Sequence, residues 1–389
     1  MRRYRLAFVV SVVFGVAACS DSPTLLEPRP EAARSVATGV IPGRFIVTLR
    51  QDVSPATVAR EHGVQPDFVY THALNGFAGA ISDLARAGLL RDGRVTRVEP
   101  DGIAHTMTTE SPTPSWGLDR IDARSGLDNS YSYTNTGSGV TAYIIDTGID
   151  VTNSDFGGRA SVGVDEIGDG RNGIDCNGHG THVSGTVGGT TYGVAKSVTL
   201  VAVRVLDCSG SGTWSGVAAG IDWVVANVSR PAVANMSLGG GANATVDDAV
   251  RRMIADGVAT AVAAGNGNQG GVAQDACKYS PARVTEAMTI GATDRTDTKT
   301  SWSNYGNCVD WFAPGSGITS DWLNGGTNTI SGTSMATPHT TGVAALYLST
   351  QGNANASPQQ VRDALYANLT KGVVQRSKTA NNHLLYTSY

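Results

Sequence analysis

The chain has 389 residues, 48 of them glycine, with 16% charged residues and a formal net charge of −4 at neutral pH. Glycine above its average of about 7% but without a three-residue period excludes a collagen-like rod, and few Lys, Arg, Asp and Glu against the usual ~25% exclude a disordered polyampholyte. No basic stripe marks a nucleic-acid surface, so the chain reads as a globular protein rich in tight turns and long enough for more than one folding unit.

The amino terminus accounts for part of the length. Residues 1–19, MRRYRLAFVVSVVFGVAAC, carry arginines followed by an apolar stretch too short to span a bilayer as a mature helix, the form of a secretory signal. Within it, VAAC at 16–19 fits a bacterial lipoprotein box in which Cys19 receives lipid, and residues 20–40, with their prolines and polar side chains, read as an extended tether. No later segment offers 18 unbroken apolar residues, so the remainder is expected to be exported and soluble, with the membrane reached only through Cys19.

Residues 41–108 read as a small unit of their own. RFIVTLR is a strand, Ser54 and Pro55 open a short helix that ends near Gly63, and DFVYTH and LNGFAGAIS are two further strands. Ser82 opens the helix DLARAGLLRDG, and VTRVEP closes a β-α-β-β-α-β order, which is ferredoxin-like. The charge balance changes here too: the first 108 residues hold 12 arginines and 10 acidic residues, and the remainder holds 17 basic and 23 acidic ones.

From about Trp116 the chain alternates strands and helices. The runs at 140–146, 198–207, 233–239, 258–266 and 287–293 are nearly continuous in apolar residues, which suits a sheet buried on both faces. Segments 215–228 and 247–257 have helical periodicity, with Ser215 or Asp247 to open and Gly257 to close the second. The predicted fold is α/β, a doubly wound and mostly parallel sheet preceded by the small α+β unit, and such sheets place ligands beyond the carboxyl ends of their strands.

Polar residues gather at those ends. Asp146 ends a strand in DTG, SLGGG follows Asn235 and Met236, and Asn266 ends another strand in AAGN. CNGHGTHVSG puts His179 and His182 at a helix start, with His182 read as structural. SGTSMATPH puts Ser334 at the start of the apolar run TTGVAALYL, where Gly332 permits a tight turn and Pro338 is tolerated early in a helix. A serine there is ordinarily a cap, but with a base in reach it is a nucleophile, and Asp, His, Ser is one of three known chain orders for that geometry. Thr333 and Met335 flank it at positions where backbone shape is expected to matter more than side-chain identity. Two other enzyme classes fit less of the chain. An esterase triad of Ser334, Asp363 and His383 lacks the second glycine of a G-x-S-x-G elbow, and an aspartic protease lacks a second DTG. A catalytically silent binding protein has no need of all these groups together. Beyond Cys19 the cysteines are Cys176, Cys208, Cys277 and Cys308, which allow three pairings; free thiols are the alternative, and no pair has the spacing of a zinc site.

With DTG, GHGTHVSGT, AAGN and SGTSMATPH together, the chain from about Trp116 to its end resembles the subtilisin-like serine proteases, within them the proteinase K group and its aqualysin-like secreted members. The resemblance implies a secreted, monomeric endopeptidase in which His179 is the base oriented by Asp146, Ser334 the nucleophile and Asn266 the oxyanion donor. It implies a peptide substrate added as a strand between Gly210, Ser211 and Gly212 on one side and Ser237, Leu238 and Gly239 on the other. The pocket for the residue before the cleaved bond is then walled by Ser237, Leu238, Gly239, Ala263, Ala264 and Gly265, small walls that favour apolar or aromatic side chains with broad specificity. It further implies the pairs Cys176–Cys208 and Cys277–Cys308. Structural calcium is implied on Thr285, Ala287 and Asp310, with Asp119, Asp122 and Asp128 as a second set in which Ala123 stands where a glutamine is expected. Residues 41–108 become an intramolecular chaperone and inhibitor, their tail in the active site, removed by autocatalytic cleavage between His105 and Ser111 to leave a catalytic unit at 109–389.

Overall fold

The computed structural model describes residues 40–71, 75–102 and 108–389. The signal segment, the VAAC box and the tether up to residue 39 lie outside the described residues, as do 103–107 of the expected cleavage region.

Seven strands carry the larger unit: Thr141–Asp146 (β1), Ala160–Asp165 (β2), Thr199–Arg204 (β3), Ala232–Met236 (β4), Ala259–Ala263 (β5), Met288–Thr293 (β6) and Trp311–Pro314 (β7). Their order across the sheet is β7-β6-β5-β4-β1-β3-β2, and every neighbouring pair is parallel. Side chains alternate across a strand, so β1 feeds both layers. Ala142 and Ile144 join one core with Val183, Val187, Val343 and Leu346, while Tyr143 and Ile145 join another with Val217, Ile221, Val246 and Val250. The helices responsible are His179–Gly188 (α1) and Thr333–Ser349 (α4) on the first face, and Trp214–Asn227 (α2) and Ala244–Ala255 (α3) on the second. A last helix, Pro358–Asn368 (α5), packs on the first layer through Val361 and Leu365. Burial on two faces is why these strands read as unbroken apolar runs.

Two helix starts differ from expectation. Thr213, not Ser215, caps α2, its Oγ1 accepting from the Gly216 amide at 3.0 Å. Asn243 caps α3, accepting from the Val246 amide at 3.0 Å, and Asp247 is instead buried against Arg283. Threonine and asparagine cap as readily as serine and aspartate, so the side chain that reaches the third amide decides. Gly257 does close α3, at φ +94°.

The smaller unit has strands Val40–Leu49, Phe68–Tyr70, Gly76–Ala80 and Val95–Gly102 and helices Pro55–Glu61 and Asp83–Leu89. Its antiparallel sheet runs second, third, first, fourth, which is the pairing a ferredoxin-like chain order gives. Ser54 and Ser82 cap the two helices, and Val47, Val58, Phe77 and Leu89 form the core. Further along, Thr108–Glu110 pairs with Tyr131–Tyr133, and Glu110 pairs with Lys196 at 2.8 Å.

The disulfides are Cys176–Cys208 and Cys277–Cys308, with Cα separations of 5.0 and 5.3 Å. They close loops whose ends are 32 and 31 residues apart. On the chain-entropy account each stabilises by about 3.5–4 kcal/mol. A chain carrying both Cys277→Ser and Cys308→Ser is expected to lose about that much unfolding free energy in a denaturant titration, and an unchanged midpoint would show that the bridge constrains nothing.

Candidate active site

Asp146 is the last residue of β1, the strand at which the sheet order turns between β4 and β3. That topological switch point is where open parallel sheets hold ligands. The carboxylate is fully buried, and its Oδ1 accepts from the Thr147 amide at 2.8 Å and from His179 Nδ1 at 2.7 Å. Because a carboxylate can only accept, the pairing puts the proton on Nδ1 and leaves Nε2 as the basic nitrogen. Burial depresses the His179 pKa, but the Asp146 charge, the hydrogen bond to it and the Asp175 charge outweigh that and hold it above its ordinary value.

Asp175 is a residue the sequence reading did not single out. Its carboxylate accepts from Thr147 Oγ1 at 2.9 Å, from the Asn177 and Gly178 amides at 2.9 and 3.0 Å, and from Thr181 N and Oγ1 at 2.9 and 2.6 Å. It thereby ties the turn that begins α1 to the residue after Asp146. An acidic residue four before His179, in a glycine turn that leaves amides unpaired, was the available clue.

Ser334 is the second residue of α4. Its Oγ donates to the Ser237 carbonyl at 3.0 Å, and the Ser237 hydroxyl donates back to the Ser334 carbonyl at 2.8 Å. Pro338 explains the second bond: it lies deeper in the helix than its first turn and has no N–H to offer the carbonyl four residues earlier, so Ser237 takes that role. The hydroxyl therefore rests on the strand end beyond β4.

Asn266 Oδ1 accepts from the Thr333 amide and from Thr333 Oγ1, both at 2.8 Å. An amide N–H only donates, which fixes the carboxamide's orientation and leaves Nδ2 to the cavity it lines with Ser334. Thr333 Oγ1 in turn accepts from the Gly265 amide at 3.1 Å. Side-chain identity at 333 thus matters more than the expectation that backbone shape counts for more there allows. A hydroxyl both donates and accepts, and no apolar residue could do so.

Two cavities meet at this point. The first, of about 640 Å³, is lined by His179, Gly210, Ser211, Gly212, Ser237, Leu238 and Gly239, with Leu206, Trp214 and Val217 on its apolar side. The second, of about 230 Å³, is lined by Ser237, Leu238, Gly239, Ala263, Ala264, Gly265, Asn266 and Ser334. All the residues expected to contact substrate thus border one or the other. The esterase set is not assembled: His383 meets the Tyr366 hydroxyl at 3.2 Å, and Asp363 accepts from Gln359 at 2.8 Å. His182 is buried, with Nε2 on the Ile318 carbonyl at 3.1 Å, and burial lowers its pKa to about 4, as suits a neutral structural imidazole.

A family model described as the subtilase family matches residues 137–384. The chain belongs to the subtilase family. It is 48% identical over 404 aligned positions to an extracellular serine proteinase of Thermus sp. (strain Rt41A), covering 96% of this chain and 97% of that protein. It is 49% identical to an alkaline serine exoprotease A of Vibrio alginolyticus over 84% of this chain and 61% of that one. Among solved structures, a cold adapted subtilisin-like serine proteinase superposes with a TM-score of 0.68 at 52% identity, covering 72% of this chain and all of the other. This subtilase is a serine endopeptidase with the subtilisin-like fold.

The calcium ligands expected of the subtilase fare differently. Asp310 Oδ1 is paired with Arg362 Nη2, Asp310 Oδ2 accepts from the Thr289 amide at 2.8 Å, and Arg362 Nη1 donates to the Thr285 carbonyl. A guanidinium already bonds two of the three expected ligands, so the set does not fit a metal. In the second set, Asp119 and Asp128 accept backbone amides, but Asp122 Oδ1 is buried without a partner. Burial first, then repulsion from Asp128 and Asp119, raises the Asp122 pKa to about 6, an environment that a hard cation would relieve. Among the described residues, the one group of three metal-type ligands with atoms within 4.8 Å of each other is Asp169, Cys176 and Cys208, and its two sulfurs are spent in the disulfide.

Replacing Asn266 with alanine in the subtilase is expected to lower kcat by about 10²–10³, the loss a subtilisin shows at the matching side chain, with KM little changed. Thr333→Val should fall in the same direction by less, since it removes one of the two bonds to the carboxamide oxygen and keeps the backbone one. A Thr333→Val enzyme with full kcat on a peptide anilide would show that Asn266 needs no such support.

Proposed function

We propose that this subtilase is secreted and hydrolyses internal peptide bonds of unfolded proteins through an acyl-enzyme on Ser334. The observation that carries the reading is the 2.7 Å bond between buried Asp146 and His179, on a cleft that continues into the cavity of Ser334 and Asn266. His179 Nε2 takes the Ser334 proton as Oγ adds to the scissile carbonyl, and Asn266 Nδ2 donates to the oxyanion. The imidazolium then gives the proton to the leaving amine, and water, deprotonated by the same nitrogen, releases the acid and restores the serine. Asp146 keeps the tautomer and stabilises the imidazolium.

The substrate runs as an extended strand between Gly210, Ser211 and Gly212 and Ser237, Leu238 and Gly239, held by main-chain bonds that tolerate many sequences. Among the described residues no acidic side chain lines the 230 Å³ cavity, which supports a preference for apolar or aromatic residues before the cleaved bond. The unit at 41–108 assists folding and then inhibits. Pairing of Thr108–Glu110 with Tyr131–Tyr133 supports cleavage toward the His105 end of the 105–111 range, because those residues are already woven into the catalytic unit. Secretion is supported by the extracellular relative. Before processing, lipid on Cys19 tethers the precursor, a step that alkyne fatty-acid labelling of the Ser334→Ala precursor tests directly.

A fluorophosphonate probe tests the central assignment. It is expected to label Ser334 in the mature enzyme and to fail in the His179→Ala variant; labelling of another serine would overturn it.

A further inference from the structure

We propose that Arg362 serves this chain as a built-in cation in the place where the family resemblance implies calcium, so that the corner joining Thr285, Ala287 and Asp310 is held without metal. The arginine comes from α5, where Val361 and Leu365 are buried in the core and turn the intervening residue toward the end of the sheet. Its two terminal nitrogens reach two different groups of the expected ligand set: Nη1 the Thr285 carbonyl and Nη2 the Asp310 carboxylate. The remaining Asp310 oxygen is occupied by the Thr289 amide at 2.8 Å, so both carboxylate oxygens are satisfied. The Asp310 side chain is 14% exposed and that of Arg362 24%, a pairing partly withdrawn from solvent.

Calcium needs six to eight oxygens at about 2.3–2.6 Å around one centre. A guanidinium bonded to the Thr285 carbonyl and the Asp310 carboxylate competes for those oxygens, and its positive charge opposes a divalent ion. The planar fork of an arginine suits a carboxylate and a neighbouring carbonyl, which a lysine point charge would not match as well. The consequence is a change in what stability depends on. A bound ion stabilises by an amount that grows with the logarithm of its free concentration over its dissociation constant and vanishes when the ion is removed, whereas a tethered guanidinium is always present. This corner then keeps its strength in chelator.

The test uses the full chain with Ser334→Ala, which removes self-digestion, and counts bound calcium by native mass spectrometry alongside thermal melts with and without EGTA. Adding Arg362→Ala is expected to create a site: one more calcium per chain than the parent, a melting temperature lowered by several degrees in EGTA, and recovery of that loss in millimolar calcium. Asp310→Asn placed on the Arg362→Ala chain should abolish the extra ion. The proposal is overturned if Arg362→Ala takes up no additional calcium. Should that variant not fold, Asp310→Asn in the parent decides: an unchanged calcium count supports the arginine, and a count lower by one shows that the ion was there all along.

Discussion

Ser334→Ala is expected to lower kcat by about six orders of magnitude, the size of loss a subtilisin suffers when its serine is removed. The residual rate comes from groups the substitution leaves intact, Asn266 and the substrate-binding cleft, which still favour attack by water. Folding should be unaffected. Among the described residues the Ser334 hydroxyl makes a single hydrogen bond, to the Ser237 carbonyl, and the reverse bond from Ser237 uses the Ser334 backbone, which alanine keeps. The variant should therefore accumulate as uncleaved precursor with a normal melting transition. Caseinolysis within tenfold of the parent would remove Ser334 from the mechanism. A precursor still cut between His105 and Ser111 in the purified variant would show that processing is not autocatalytic.

Asp146→Asn is expected to cost about 10⁴ in kcat, because an asparagine carboxamide can donate to Nδ1 and so stabilise the tautomer whose Nε2 carries a proton and cannot act as base. The pH dependence adds a readout that a merely structural role would not give. His179 must be neutral to accept the Ser334 proton, so activity is gained as pH rises through its pKa. Burial pushes that pKa down, and the Asp146 charge and hydrogen bond, helped by Asp175, hold it above its ordinary value. With Asp146 gone, burial is opposed only by Asp175. The acid limb of kcat/KM is therefore expected to move to lower pH in Asp146→Asn while its plateau falls. A limb that stays in place would mean that another group sets it.

The five apolar runs were legible because a strand buried on both faces has no polar alternation, and they appear as β1, β3, β4, β5 and β6 within a few residues. β2 and β7 were not. Ala160–Asp165 is an edge strand, half exposed, with an irregularity at Gly163, and Trp311–Pro314 is four residues ending in proline, so neither has enough periodicity to stand out. Their place is set by pairing with β3 and β6. The order of strands and helices in the described part of the small unit was legible, since each of its helices opens on a serine whose side chain caps it locally.

Asp146, His179, Asn266 and Ser334 were each visible as a polar residue in a glycine-bearing motif at a strand end or helix start, features dictated by neighbours in sequence. Their supports were invisible for the opposite reason. Asp175 acts on Thr147 across 28 residues, Thr333 on Asn266 across 67, and Ser237 on Ser334 across 97. Arg362 reaches Asp310 across 52 residues, from a helix whose surface arginine looks like any solvated charge. The sequence by itself determined the fold class, five of the seven strands of the main sheet and the candidate polar groups at their ends, because hydrophobic period, turn chemistry and capping are local. Only the tertiary structure decided which hydroxyl holds the Asn266 carboxamide, which carboxylate braces the histidine turn and which side chain lies against Asp310, because each depends on hydrogen-bond geometry between segments that meet only when the sheet is closed.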